Sequence, residues 1–380
     1  MTQSGIYVSN VYGLLLYLKL KQYQIFAIQH LPLSYMLKKI FYSLLVLLGV
    51  VVLVFIMFQG FGDPARMIVG QTGDKKTLDN IRSDLYLDQP KWKQFVLYVN
   101  DVSPVCLHSK ADIEKKQLKG FFVGSNTKIG IKIPYLRKSY QTKKEVGKVL
   151  LEALPGTLIL AIAAMLFAAI IGILLGVTAA VKKDTWMDTA AVFSSIAGIS
   201  APSFFMAIII AYFFGVVLHD YTGLQLTGSW FDIDEVTGEK YLSLKNLILP
   251  AFTLGIRPLA IITQLTRSAM LDVLNQDYIR TAYAKGLGKN VIIYKHALRN
   301  ALNPVITAIT GWFAELLAGA FFVEYIFGWK GIGKITVDAL EKLDYPVVMG
   351  SVLLSACIFI FINFFADVLY RFVDPRIKVL

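Results

Sequence analysis

Read along the chain, long apolar runs alternate with polar connections. Ile40–Gln59, Thr157–Val181, Thr189–Leu218 and Tyr345–Ala366 contain no charged residue. Asn246–Thr266 and Ala301–Val323 contain one each, Arg257 and Glu315. About 20 mostly apolar residues cross ~30 Å of hydrocarbon as a helix. The pattern therefore predicts six transmembrane helices. A buried core helix can mimic one such run, but six in one chain point to an all-α integral membrane protein. Between the first two runs lies a long loop whose patterns, such as Gly120–Ser125 and Lys128–Pro134, fit short strands bounded by turns.

Composition sharpens this. Of 380 residues, 56% are hydrophobic and 17% charged, with mean hydropathy +0.58; a soluble domain carries about 25% charged residues. Disordered chains, disulfide scaffolds and ordinary soluble enzymes are excluded. Cys106 and Cys357 are far apart and His30, His108, His219 and His296 show no ligand spacing, so no metal is expected. The formal charge of +12 is placed as a membrane protein places it, and no nucleic-acid partner is expected. With the N-terminus inside, the inner segments 1–39, 182–188, 267–300 and 371–380 hold fifteen Lys and Arg, against five in the short outer loops 219–245 and 324–344. Positive loops stay cytoplasmic, so both termini are expected in the cytoplasm. The chain then divides into residues 1–35, a first span over 36–60, an extracytoplasmic loop over 61–149, and a core over 150–380 with a cytoplasmic loop at 267–300. Residues 1–35 read as an amphipathic interfacial extension or as an upstream start-site assignment.

The inner loop carries the densest pattern. Ser268 to Ala284 lacks Gly and Pro and places Leu271, Leu274, Tyr278 and Ile279 at helical spacing. Gly286 and Gly288 then permit a reversal with positive φ, and a second helix is expected to start near Asn290, a good N-cap. Such a helix-turn protruding from a bilayer suits docking against a soluble partner. A solvated connection fits the periodicity equally well.

The residues of this loop resemble the cytoplasmic loop of ABC importer permeases of the dipeptide, oligopeptide and nickel branch. Asp277, Tyr278, Arg280, Thr281, Ala282, Ala284, Lys285, Gly286 and Leu287 match its first half, and His296–Asn300 and Pro304 its second. Gly62–Arg66, Leu154–Thr157, Ser200–Ser203, Leu249–Ala251, Thr266–Met270, Phe327–Trp329, Asp344–Val348 and Asp374–Ile377 match further segments in order. The main departure is extra length around 105–135. The resemblance implies a non-catalytic transmembrane subunit with the type I importer fold, in a bacterial inner membrane. It implies as partners a second homologous permease, two ATP-binding subunits and an extracytoplasmic solute-binding protein. ATP and magnesium are expected in the ATP-binding subunits and no cofactor in this chain. The loop would supply the coupling helix, and the expected cargo is a di- or oligopeptide, with nickel or another small solute as the alternative.

Gly328–Ile335 imitates a phosphate-binding loop, G-x-x-x-x-G-K, but Ile335 stands where Ser or Thr would hold magnesium. By resemblance it is an outer-face turn leading into a short helix, Ile335 to Leu343. Arg257 and Glu315 fall ~16 and ~12 Å below the outer face at 1.5 Å per residue. A charge at the bilayer centre costs ~2.5–3.5 kcal/mol on insertion scales. The two therefore either pair with each other or line the passage and contact a peptide terminus or backbone. Asp367 and Arg371 share a helix face and suggest a structural role at the inner interface. Trp312 and Trp329 read as packing or belt residues, and Pro202 and Pro250 as kinks. A self-sufficient secondary transporter would show broken inverted repeats or a relay of charges, and only two intramembrane charges are present.

Overall fold

Lipid offers no partner to a backbone N–H or C=O, so an apolar run can cross it only as a helix that satisfies its own polar groups. A computed structural model describes residues 33–60, 65, 78–79, 82–83, 86–125, 127–233 and 238–373. Residues 1–32, most of the segment 61–85 (with the Gly62–Arg66 motif apart from Ala65), and Asp374–Ile377 lie outside them. Among the described residues, five helices are long and apolar enough to span: α1 (Leu33–Gly60), α4 (Val146–Val181), α8 (Lys245–Leu274), α10 (Leu298–Gly319) and α13 (Tyr345–Val373).

The remaining run is not one straight span. α5 (Trp186–Ser200) and α6 (Ser203–Tyr212, continued by a π-turn over Phe213–Val217) meet at 107°. Pro202 is the cause. It has no N–H to give the preceding turn, and it pushes Ala201 into extended backbone (φ −78°, ψ 129°). The pair makes a sixth crossing only as an elbow. The fifth run also ends early: α10 stops at Gly319 and a short α11 (Phe321–Ile326) follows. α4 begins eleven residues before the expected span and carries Pro155 within it.

The centre of the bundle is the contact of α4 with α8. Leu160, Ala161, Ala164 and Ala168 of α4 and Ile262 of α8 are fully buried. Small residues let the two backbones approach, as is usual where lipid tails supply no hydrophobic drive between helices. A Cβ on Gly176 would lie 2.5 Å from Thr266 Cβ and 2.7 Å from the Thr263 carbonyl oxygen. Around this contact the core extends through Ala207 and Ile210 of α6, Val305 and Leu317 of α10, and Trp329.

The long loop forms α2 (Lys91–Val102), β1 (Val105–Ser109), α3 (Lys110–Lys116), β2 (Gly120–Val123) and β3 (Thr127–Lys132). The antiparallel sheet has order β1-β3-β2, with Cys106 opposite Gly130 and Phe121 opposite Ile131. The expected strands are β2 and β3; β1 joins them at the edge, paired to β3. Buried Asp101 on α2 organises this unit, taking Lys116 Nζ at 2.5 Å and, through its backbone carbonyl, the Lys132 ammonium. The opposite sheet face exposes Leu107, Phe121, Val123, Ile129 and Ile131. α2 packs through Tyr98 on Val51 and Val54 of α1 and Met349 of α13. A short α7 (His219–Thr222) and a hairpin of β4 (Phe231–Ile233) and β5 (Lys240–Leu242) connect α6 to α8.

Gly176→Val should force α4 and α8 apart, lowering the thermal stability of the purified protein by about 3 kcal/mol. Unchanged stability would show that the close approach does not hold the bundle together.

Candidate functional site

Two places bring chemistry-bearing residues together: the loop beyond α8 and a cleft beside the α5–α6 elbow. In the loop, the expected single helix over Ser268–Ala284 is broken. α8 ends at Leu274, Gln276 is extended (φ −76°, ψ 149°), and a separate α9 covers Asp277–Ala284. The break turns α9 so that Ile279 and Ala282 are buried against Val177 and Ala180 at the end of α4, Met270 of α8, and Ile292 and Ala297. The other side of α9 is left outward. Asp277, Arg280, Thr281, Ala284, Lys285 and Gly286 are exposed, as are Tyr278, Tyr283 and Leu287.

Gly286 terminates α9 with φ +74°, a conformation that costs an L side chain ~1–2 kcal/mol. There its N–H donates to Tyr283 O at 2.9 Å and Leu287 N–H to Ala282 O at 3.3 Å. Gly288 does not take positive φ. Nor does Asn290 cap the next helix: its backbone is already helical (φ −64°, ψ −39°) and its side chain makes no cap bond. The following turn, Val291–Ala297, is a π-helix leading into α10, which keeps Ile292, Ile293 and Ala297 buried together. Asn300 of α10 reaches back and donates to Tyr278 Oη at 2.7 Å, tying the two halves of the loop.

The α9 end of the bundle is fastened by ion pairs. Arg267 donates through Nε and Nη2 to the two oxygens of Asp188, at 2.5 and 2.7 Å, joining α8 to the start of α5. Such two-point Arg–carboxylate pairs fix orientation as well as charge. Asp367 pairs with Lys39 of α1, a tie that gives it a structural role; the side chain of Arg371, on the same helix face by spacing, lies outside the described residues. Asp188 carried no motif, and its only signal was an acid just beyond the Lys182–Lys183 turn.

Beside the elbow, a cleft of about 110 Å³ is lined by Ala201, Ser203 and Met206 together with Arg257, Trp312 and Glu315. Arg257 Nη1 stands 3.9 Å from Glu315 Oε1, and both side chains are more than half exposed, at 53% and 56%. The guanidinium carbon lies 5.2 Å from the Trp312 ring centre, within cation–π range. Pro258 of α8 also lines the cleft, and it lacks the N–H that would bond the Leu254 carbonyl one turn back.

At the long-loop end, the Gly328–Ile335 segment does collect backbone N–H groups, around an internal carboxyl. Glu324 Oε2 accepts from Gly333 N–H at 2.7 Å and Lys334 N–H at 3.2 Å, at the first turn of α12 (Ile332–Glu341). Trp329 is fully buried and its Nε1 donates to Gly156 O at 2.9 Å; Ile332 N–H donates to Thr157 Oγ1 at 2.9 Å. The Leu154–Thr157 and Phe327–Trp329 motifs are thus the two sides of one joint. Asp344 makes a second, accepting from Ser139 Oγ at 2.5 Å and Tyr140 N–H at 2.9 Å. Glu324 itself lay one residue past the expected span and was missed. Burial pushes its carboxyl up to about 7, against the pull of Thr157 and the two N–H groups.

Among known proteins, the chain matches the family described as binding-protein-dependent transport system inner membrane component over residues 172–379, and the family of its N-terminal part over 32–112. It is similar to the dipeptide transport system permease protein DppB of Alkalihalophilus pseudofirmus, 34% identical over 360 residues, covering 91% of this chain and 99% of that one. DppB of Haemophilus influenzae is 43% identical over 254 residues, 63% of this chain and 76% of that one. The glutathione transport system permease protein GsiC of Salmonella typhimurium is 34% identical over 349 residues, 91% and 99% of the two chains.

The Glu324 joint has a pH signature. Its folded-state pKa lies above the ordinary carboxylate value, so its contribution is fully present below pH ~4.5 and is lost as pH rises through about 7. Glu324→Gln keeps an acceptor oxygen and should flatten the fall in thermal stability between pH 5 and 8, a term on the order of 3 kcal/mol. Identical pH profiles for the two proteins would remove Glu324 from that role.

Proposed function

Because the chain belongs to the binding-protein-dependent transport system inner membrane component family, we propose that it forms half of the pathway of an ATP-driven importer of short peptides. It is a multi-pass inner-membrane permease subunit. A second, homologous permease completes the pathway, two ATP-binding subunits carrying ATP and magnesium sit on the cytoplasmic side, and a solute-binding protein delivers cargo from outside. Both termini lie in the cytoplasm, a reading supported by the excess of Lys and Arg in the inner segments. The peptide assignment draws on relatives named for dipeptide and glutathione transport.

One observation carries the coupling role: α9 buries Ile279 and Ala282 on the ends of α4 and α8 while turning Tyr278, Arg280, Tyr283 and Leu287 outward. A helix seated this way is a short lever. Force applied to its exposed side by a closing ATPase pair passes directly into the two most closely packed helices of the bundle. Ligand-driven transitions of this kind need differential contact with two arrangements of a packed body, and α9 offers the contact. Asp277, Thr281, Ala282, Ala284, Lys285 and Gly286 shape it: Thr281 Oγ1 bonds the Asp277 carbonyl at 3.0 Å, and Gly286 ends it.

A Cys at Tyr283 should crosslink to an ATP-binding subunit in the assembled complex. A Cβ on Gly286 meets nothing within 4 Å, so Gly286→Val acts through backbone strain alone. It should cut peptide-stimulated ATP hydrolysis at least tenfold with the complex still assembled. Absence of the crosslink together with unaltered stimulation would overturn the coupling role of α9.

A further inference from the structure

Arg257 and Glu315 differ from the structural ion pairs of the same molecule. Asp188 and Arg267 meet at two points, 2.5 and 2.7 Å apart, with Asp188 almost wholly buried. Arg257 and Glu315 touch through one pair of atoms at 3.9 Å, beyond the 2.7–2.9 Å of a charge-assisted hydrogen bond, and each is more than half exposed. Neither makes a hydrogen bond to another side chain among the described residues. A guanidinium with five donors and a carboxylate with about four acceptor sites are therefore left nearly unused in the hydrophobic part of the bundle. Facing lipid, each would cost ~2.5–3.5 kcal/mol. Their side of α8 and α10 therefore meets an aqueous path or the companion permease.

The surroundings are suited to one class of solute. Trp312 holds the guanidinium by its face, leaving the N–H edges free. Gly198, Leu254, Pro258 and Ser203 also line the cleft. Pro202 and Pro258 supply no N–H to the carbonyls of Gly198 and Leu254. One cation and one anion together complement a short chain with an ammonium at one end and a carboxylate at the other. The cleft, of about 110 Å³, is narrow while Arg257 and Glu315 stand 3.9 Å apart. A dipeptide with one end on each charge requires Arg257 and Glu315 to separate, and Ala201 and Ser203 of the elbow form the wall beside them.

We infer that Arg257 and Glu315 form a reader of peptide termini, releasing each other so that Arg257 takes the α-carboxylate and Glu315 the α-ammonium of a passing di- or tripeptide. The inference rests on the proposed peptide cargo. Extended, two or three residues span roughly 7–10 Å, a gap the two long side chains bridge by swinging apart. When the peptide leaves, the pair closes again and neither charge is stranded in the membrane.

The test is a residue-against-substrate cycle. The complete complex, with its companion permease, ATP-binding subunits and binding protein, is reconstituted in proteoliposomes. Uptake of a free dipeptide, its N-acetyl form and its C-terminal amide is then followed, each at a concentration that saturates the binding protein. Glu315→Gln should slow the free dipeptide at least tenfold and the N-acetyl form by less than twofold. Arg257→Gln should do the same for the free dipeptide against the amide. Equal slowing of free and blocked peptides, or no slowing, would overturn the reader. Should a variant fail to assemble, the wild-type complex still decides: the N-acetyl form and the amide both moving as fast as the free dipeptide would overturn it. If the wild-type complex assembles but moves none of the three, the peptide cargo itself falls and the reader with it.

Discussion

The approach of α4 to α8 is the constraint on which the rest of the molecule depends. Gly172 and Gly176 face Leu259, Thr263 and Thr266 with no room for a side chain between them, and alanines line α4 above that point. Lipid tails give helices no hydrophobic reason to associate, so close van der Waals packing has to supply it. Every functional element is mounted on this pair. α9 rests on one end of it through Ile279 and Ala282. Arg257 projects from the far side of α8, and Gly156 and Thr157 of α4 receive the Trp329 and Ile332 N–H groups at the long-loop end.

Both ends of the bundle add specific polar ties to their apolar packing. Arg267–Asp188 and Lys39–Asp367 fasten the α9 end, joining α8 to α5 and α1 to α13. Glu324 and Asp344 gather backbone N–H groups at the other. Between those fastened ends lies the elbow, where Pro202 interrupts the helix next to a half-exposed ion pair. Rigid ends and an interrupted middle suit a body that tilts as a unit while a passage opens at one wall.

Much of this was legible in the sequence because lipid constrains backbone so severely. Apolar runs of about 20 residues marked α1, α4, α8, α10 and α13 directly. The inner loop was legible from the Gly286 break and from motif residues of a known family. Hydropathy failed where geometry depends on a single residue inside an apolar run. It merged α5 and α6 because Pro202 changes direction without changing polarity, and it joined α8 to α9 because Asn275–Gln276 carries no Gly or Pro. The ties were hidden for another reason: Asp188 and Arg267 are 79 positions apart, and no periodicity reports such a pairing. The phosphate-loop look-alike had a physical basis, since N–H groups at a helix start gather acceptor oxygens, and here the Glu324 carboxyl takes that place.

The most direct test of the account is peptide movement by reconstituted proteoliposomes containing this chain, its companion permease and the binding protein, with and without the ATP-binding subunits. Short-peptide uptake that requires those subunits and hydrolysable ATP is the predicted result. Uptake sustained by this chain in their absence would contradict it.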